Sequence, residues 1–437
     1  METDINIQLD CNVITVERFL RPITYTSWIL GVGISRPKKA SKCVTIIFRI
    51  LHFAICSVIV AYGAIDFFTF GSVFKSDIFK IMYYTNKVVC YVSSYYYIYD
   101  GIRHYDKWPE LMRKIQNIDE KIEREIPINN QLVRKTQILA LLATVMIGPL
   151  SLLIHAFYYY FILPEDIFAS DLLLYYTISQ SVINSFHFNI VVLVISQRFK
   201  AINEMIENID QTFPSSWISL KLRRARELHS GNCDIVTFVN GLYGLQLLLS
   251  SANSFTMVVA TLFRIYMGVV EQNYEFMLIN NIIWMIYVGQ FALTCCNCNI
   301  ASRESNKTGI IIYSIILYLN KNLCTNKLKG FTRGNEENYQ TNPVIRSERH
   351  HPIEHQGNFG FDLNYLGIET LLRATNERDS IRSEVNDFSL QISQHSVTFT
   401  ACDFFEMNNS LLSGFVGVIT TYLIILVQFY RPEHHDK

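Results

Sequence analysis

Residues 411–429 read LLSGFVGVITTYLIILVQF, an apolar run without a charged side chain. A run of about 20 mostly apolar residues is long enough to cross a bilayer as one helix. Six further runs of this kind precede it, and together they predict an all-α, polytopic membrane protein with seven transmembrane helices. The predicted spans are Val44–Phe70, Ile78–Tyr99, Ile138–Leu163, Leu172–Ser196, Ile235–Gly268, Phe276–Cys296 and Leu411–Phe429.

The composition also favours a membrane protein. Half of the 437 residues are hydrophobic and 17% are charged, whereas about a quarter of the residues are charged in typical soluble domains. The 38 basic and 38 acidic residues cancel, so no overall field favours nucleic acid. We therefore expect a multi-pass protein that contacts membrane lipid and does not bind nucleic acid.

Lysine and arginine are distributed unequally between alternate loops. One set of loops contains 31 of these residues, and the other set contains four. The positive-inside rule assigns the basic side of a membrane protein to the cytosol. With seven spans, the N-terminus is then predicted to be cytosolic and the C-terminus extracellular, which is the reverse of a G-protein-coupled receptor.

The loops and spans divide the chain into segments with different expected roles. Residues 325–365 are rich in Asn, Gly, Glu and His and lack a helical period, so this stretch is predicted to be disordered. The predicted segments are a cytosolic N-terminal segment (1–43), helices one to six with cytosolic helical extensions (44–296), a cytosolic extension of the sixth helix (297–324), the disordered cytosolic insertion (325–365), cytosolic anchor helices (366–409), the seventh helix (410–430) and an extracellular stub (431–437).

Motifs for catalysis and cofactor binding are absent from the sequence. It contains no Gly-rich phosphate loop, no His-Glu-x-x-His pair and no Gly-x-Ser-x-Gly turn. Neither the cysteines within Cys295–Cys298 nor the histidines within His350–His355 have partners at metal-ligand spacing. We predict that the protein is not an enzyme and that it needs neither a cofactor nor a metal.

The last predicted span has one face of small and polar residues. Gly414, Gly417, Thr421, Ile425 and Gln428 follow one another at steps of three or four, so they share one side of a helix. Such a stripe suits close helix packing within a chain, and it also suits a helix that lines a pore around a symmetry axis. The pattern alone leaves both interpretations open.

Three short motifs in the last third of the chain resemble a known family. They are Thr421-Tyr422 followed by five apolar residues and Gln428-Phe429, then Ala301-Ser302-Arg303-Glu304-Ser305, and Phe399-Thr400-Ala401-Cys402. With seven spans and a cytosolic N-terminus, the chain resembles the insect gustatory receptors, a family of seven-transmembrane ligand-gated ion channels. The insertion at 325–365 is long for that family.

The resemblance implies a tastant-gated, non-selective cation channel in the plasma membrane, assembled as a homotetramer or with related subunits. Each subunit would place its seventh helix around one central pore. By position on this helix, the implied pore and gate residues are Thr421, Ile425, Gln428 and Phe429. Ile425 and Phe429 would form an apolar constriction that gates by dewetting, and Gln428 would either seal the closed pore or line the open one.

The resemblance also implies a small-molecule site in the outer halves of spans two to six, which makes 44–296 the ligand-binding domain. Such a site needs aromatic walls and a few hydrogen-bonding groups. The candidate ligand-binding residues are His155, Tyr159, Tyr176, Gln180, Asn280, Trp284 and Tyr287.

The tastant class follows from one position. The family's sugar-receptor branch has Glu directly after the Thr-Tyr pair, whereas this chain has Leu423. A bitter or other plant compound is therefore the first expectation, and a fructose-type sugar is the second. A metabotropic seven-span chemoreceptor and a membrane transporter are the alternatives.

Overall fold

The computed structural model describes residues 16–37, 40–70, 77–162, 169–209, 214–270, 272, 277–336 and 379–429. Almost all of this part of the chain is helical. The helices are α1 (Val16–Phe19), α2 (Arg21–Ile29), α3 (Lys42–Phe70), α4 (Asp77–Arg103), α5 (Lys107–Glu123), α6 (Gln131–Ile162), α7 (Ala169–Glu207), α8 (Ser215–Val270), α9 (Met277–Glu336), α10 (379–394) and α11 (Asn409–Phe429). Two short strands, β1 (Thr400–Ala401) and β2 (Phe405–Glu406), precede α11.

Five helices are long and apolar enough to cross a membrane, counted over the described residues. These segments are Lys42–Ile65, Tyr175–Glu207, Ser216–Val270, Asn281–Ile315 and Asn409–Phe429. The other two predicted spans coincide with α4 and α6, which are also continuous helices. Because α4 is rich in tyrosine and contains charged residues, it is less apolar than the five. Seven spans and the orientation of the termini stay predictions.

The described residues fall into two compact units. The first contains those between Met1 and Phe199, between Gly231 and Arg303, and from Val397 onward. Its central element is α7, in which the apolar window is buried along its whole length. Burial of every face explains how this helix accommodates polar residues: they meet other protein groups instead of lipid.

A buried ion pair fixes α5 against α7 within the first unit. Arg198 donates from Nε to Asp119 Oδ1 at 2.7 Å and from Nη2 to Asp119 Oδ2 at 2.8 Å. Its Nη1 donates to Asn130 Oδ1 and to the Val194 carbonyl. Because both charges are buried and every guanidinium nitrogen has an acceptor, removing one partner would leave the other charge uncompensated.

We expect Asp119→Asn to lower the free energy of unfolding by about 3–5 kcal/mol, the usual penalty for breaking a buried ion pair from one side. Thermal unfolding of the detergent-solubilised protein measures this loss of stability. Glu204→Gln is the matched control, because Lys200 and Glu204 form an exposed pair at 3.9 Å, and such pairs contribute at most about 1 kcal/mol. Equal melting temperatures for the two variants would contradict the assignment.

The second unit contains residues Lys200–Ser230 and those described between Glu304 and Ser396. Here the motif Ala301–Ser305 supplies two contacts that join helices. Asn203 donates to the Glu304 carbonyl at 2.8 Å, and Ser305 lies 3.2 Å from Nε2 of His229. Thr308, one turn farther, donates to Asn203 Oδ1 at 2.6 Å. The motif therefore stabilises the packing of α7, α8 and α9 in this unit.

Two predicted segments differ from the structure. Helix α9 continues to Glu336, so residues 325–336 are helical where the sequence predicted disorder. Gly330 and Gly334 weaken this part of the helix, but the first proline after α9 begins is Pro343. Each residue added to an existing helix gains a hydrogen bond without a new nucleation cost, so a long helix can continue through polar residues. Residues 337–365 lie outside the described part of the chain.

The anchor segment at 366–409 is not helical throughout. It contains α10 and then a β-hairpin, in which Thr400 pairs with Glu406 and Ala401 with Phe405. Cys402 and Asp403 have φ of 51° and 60°. Together with Phe404 they form the three-residue connection of the hairpin, and the Phe404 amide donates to the Ala401 carbonyl at 3.1 Å. Residues 366–378 lie outside the described residues.

Candidate ligand site and pore helix

A cluster of buried polar side chains lies between α4, α7, α8 and α9 in the first unit. Asn253 of α8 is 1% exposed, and neither atom of its carboxamide has a hydrogen-bond partner in the described chain. The Tyr287 hydroxyl of α9 lies beside Asn253 and Ser181, but neither is in hydrogen-bonding geometry with it. Tyr97 of α4 lies beside Ser181 as well. Four helices thus direct polar groups to one buried place.

The cluster extends along two of these helices. Met257, one turn from Asn253, accepts a hydrogen bond on Sδ from Asn86 Nδ2 at 2.9 Å, while Asn86 Oδ1 has no partner among the described residues. Gln290, one turn from Tyr287, is buried with Nε2 likewise unpaired. A buried polar atom without a partner costs about 1–3 kcal/mol. Several such atoms together are typical of a site that a ligand completes.

A cleft adjoins the cluster between α7, α8 and α9. It is partly open to solvent, and its free space is about that of one water molecule. Ser250, which lies beside Tyr97, lines the cleft, and so does Phe291, one turn from Tyr287. Phe291 also stacks on Phe415 of α11, with ring centroids 4.1 Å apart. One aromatic contact therefore connects the wall of the cleft with α11.

Helix α11 packs on the other helices of the first unit through one narrow face, and most of its remaining surface is exposed. Phe415 and Ile419 are its buried residues, and Tyr422 lies edge-on to Phe255 of α8 at 5.5 Å. The stripe of small and polar residues points elsewhere. All of its members are exposed in the single chain: Gly414, Gly417, Thr421, Ile425 and Gln428. Phe429, predicted beside them at the gate, is 69% exposed.

Two predicted ligand residues, Tyr176 and Gln180, bind another part of the chain. Residues 30–35, which we call the strap, follow α2. Gln180 donates from Nε2 to the Leu30 carbonyl and to the Tyr176 hydroxyl, both at 2.9 Å. The Tyr176 hydroxyl also contacts Nδ1 of His52. Gln180 therefore holds the strap against α7, and Tyr176 contacts Gln180 beside it.

The remaining predicted ligand residues have different positions. Tyr287 is in the polar cluster. Trp284 is half-buried on α9 and donates to Asn281 Oδ1 at 3.0 Å, a contact within its own helix. The side chains of His155, Tyr159 and Asn280 lie outside those that the structure describes.

Sequence reasoning missed Asn253, Gln290 and Asn86, although each sits in or beside an apolar run. A polar residue inside a predicted span is a functional candidate by default, because lipid cannot satisfy it. That rule would have selected Asn253. The sequence analysis searched instead for aromatic side chains that could form the walls of a pocket, and so it selected residues such as Trp284.

The chain matches the model of the 7tm chemosensory receptor family over residues 20–331 and 368–430. The chain belongs to this family. The receptor is 53% identical over 53 residues to gustatory receptor for bitter taste 66a of Drosophila melanogaster, covering 12% of this chain and 10% of that one. It is 44% identical over 50 residues to putative gustatory receptor 2a of the same species, covering 11% and 12%. The aligned parts thus span about a tenth of these relatives.

The fold of the receptor also resembles a solved structure. It matches the insect olfactory receptor OR5 from Machilis hrabei, determined in complex with eugenol, with a TM-score of 0.55 and 13% identity. The match covers 95% of this chain and 98% of the other. The resemblance to insect gustatory receptors inferred from the three motifs is confirmed at the level of the chemosensory receptor family.

Proposed function

We propose that this receptor is a tastant-gated, non-selective cation channel of the plasma membrane, assembled as a tetramer of itself or with related subunits. The observation that carries the proposal is α11. A helix that leaves an entire face of glycine, threonine and glutamine exposed in a single chain is suited to face its copies across a wet pore. The alternative interpretation, close packing inside one chain, would require that face to be covered.

The ligand site we propose is the polar cluster around Asn253 and Tyr287. It offers both donors and acceptors and is walled by aromatic rings, which suits a small neutral molecule carrying at least one hydrogen-bonding group. A bitter or other plant compound is the first candidate, supported by the relative named for bitter taste, and a fructose-type sugar is the second.

The route from ligand to pore follows from the aromatic contacts. A ligand that displaces Tyr287 acts on α9 one turn from Phe291, and Phe291 stacks directly on Phe415 of α11. A ligand shifts the equilibrium between the closed and open arrangements of α11 only if it binds the receptor more tightly in the open arrangement.

We expect cells expressing the full chain to carry a cation current when a panel of bitter plant compounds and sugars is applied. The current should persist in excised patches without nucleotide, because opening needs only ligand binding. Loss of the current on excision would indicate metabotropic signalling, and substrate uptake without channel openings would indicate a transporter.

Topology supplies the control for this experiment. On the predicted orientation, protease added to intact cells trims a tag after Lys437 and spares a tag before Met1. The opposite pattern, with a ligand response that needs G proteins, would contradict the channel proposal.

A further inference from the structure

A second group of buried polar atoms surrounds the strap, away from the proposed ligand site. Arg49 of α3 is 1% exposed and donates from Nη2 to the Gly33 carbonyl at 2.7 Å. Its Nε and Nη1 have no acceptor in the described parts of the chain. By comparison, the equally buried Arg198 uses all three nitrogens. Arg49 therefore has unused donors in a place where bulk water is excluded.

Other buried polar atoms without a partner lie on α4 and α7. Asp100 of α4 is 2% exposed and accepts from His104 and Tyr96 on Oδ1, but its Oδ2 is unpaired within the described residues. Asn184 and His187 of α7, each 1% exposed, also have an unpaired atom, Oδ1 and Nε2 respectively.

Arg49 and Asn184 meet the strap at Gly33, and Gly101, the neighbour of Asp100, lies against it. A Cβ built on Gly33 would lie 2.9 Å from Asn184 Oδ1, and one built on Gly101 would lie 2.7 Å from Arg49 Cζ and 2.5 Å from the Gly33 carbonyl oxygen. Asp100 and His187 lie near enough to Arg49 for their charges to act on one another. Gly33 has φ of 67°, so only glycine fits here without strain.

We propose that Arg49, Asp100, Asn184 and His187 enclose a buried site that binds ordered water, and that this water joins the strap to α3, α4 and α7. Water fits the chemistry because the site offers unpaired donors and unpaired acceptors side by side, and one water molecule bonds to two to four such groups. A bound ion fits less well, since a second anion would meet Asp100 and a second cation would meet Arg49.

The site gives the strap a defined role. The strap is also held by a backbone bond from Gly33 N to the Tyr97 carbonyl and by a side-chain bond from Gln180 Nε2 to the Leu30 carbonyl. Water between Arg49 and Asp100 would link the first turns of α3 to the end of α4 across the strap without a direct salt bridge. The strap would then be packed as a fixed element of the first unit.

X-ray radiolytic footprinting of the full-length receptor in detergent tests the proposal, because hydroxyl radicals formed from bound water oxidise the side chains that touch it. Arg49 and His187 should be oxidised although both are buried. Arg198 is the matched control, since it is equally buried and its guanidinium is saturated by protein groups, so it should stay unmodified. The proposal is overturned if Arg49 is as inert as Arg198.

Two further measurements separate the remaining outcomes. In the double variant Arg49→Met with Asp100→Asn, radiolytic oxidation of His187 should be lost. The comparison of Arg49 with Arg198 is made in the wild-type receptor, so it does not depend on whether this variant folds. A high-resolution map of the wild-type receptor should contain separate density peaks between Arg49 and Asp100. A direct salt bridge there, or continuous density of a larger molecule, would contradict the assignment to water.

Discussion

Replacing Ile425 or Phe429 with Ser should raise the current that the receptor carries without ligand. In the proposed tetramer, four copies of each side chain face one another across the pore, and a narrow apolar ring excludes water because water finds no hydrogen-bond partner there. Ser supplies that partner and stabilises the hydrated, conducting state. Every 1.4 kcal/mol changes an equilibrium about tenfold, so four substitutions together are expected to raise the open fraction at least tenfold.

The control for this prediction is Leu426→Ser. Leu426 is adjacent in sequence and half-buried toward the first unit, so its replacement should reduce folding and surface level without opening the pore. Gln428→Ala should change ion selectivity or block and leave expression intact. Basal current and surface level are measured for all four variants. A closed pore in both ring variants at normal surface level, with conduction in Leu426→Ser, would mean that the lining face is assigned wrongly.

Asn253→Leu should abolish or strongly weaken the response to ligand without lowering the stability of the ligand-free receptor. In the variant, the ligand group that pairs with Asn253 is buried without a hydrogen-bond partner, which costs about 1–3 kcal/mol. The half-maximal ligand concentration should therefore rise by roughly 5- to 150-fold. The side chain has no partner to lose among the described residues, and an apolar replacement of similar volume removes a buried unpaired amide. Thermal unfolding should therefore stay unchanged or shift upward.

Tyr176→Phe distinguishes this site from the one that the sequence suggested. The Tyr176 hydroxyl contacts His52 and Gln180 beside the strap, so its removal should affect stability and leave the half-maximal ligand concentration unchanged. A normal response in Asn253→Leu together with a weakened one in Tyr176→Phe would place the ligand beside the strap instead.

The long helices could be predicted from the sequence because their signal is local. The apolar run at Leu411–Phe429 almost coincides with α11, and the tyrosine-rich stretch at Ile78–Tyr99 lies within α4. The extension of α9 to Glu336 could not be predicted from hydropathy, since polar residues continue a helix as readily as they form a loop. The hairpin before α11 depends on two positive φ angles, for which Cys402 and Asp403 carry only a weak signal.

The candidate site was harder to predict because it depends on contacts between distant residues. Gln180 binds the carbonyl of Leu30, 150 positions earlier, and nothing in the neighbourhood of Gln180 indicates that a strap occupies it. Tyr287 was selected for its aromatic ring and lies in the polar cluster. Asn253 was overlooked because one amide in an apolar helix has no periodicity that would mark it.

The burial of the apolar window of α7 has a consequence for biogenesis. A helix that carries Gln180, Asn184, His187 and Asn189 on its faces would leave these groups unsatisfied if it entered the lipid by itself, and each such group is costly in hydrocarbon. Its hydrogen-bond partners lie on α3, α4, α5 and the strap, and also on α8 and α9, which are synthesised after it. We therefore expect α7 to remain beside the translocon until α8 and α9 emerge, so that the first unit inserts as a group of helices and not one helix at a time.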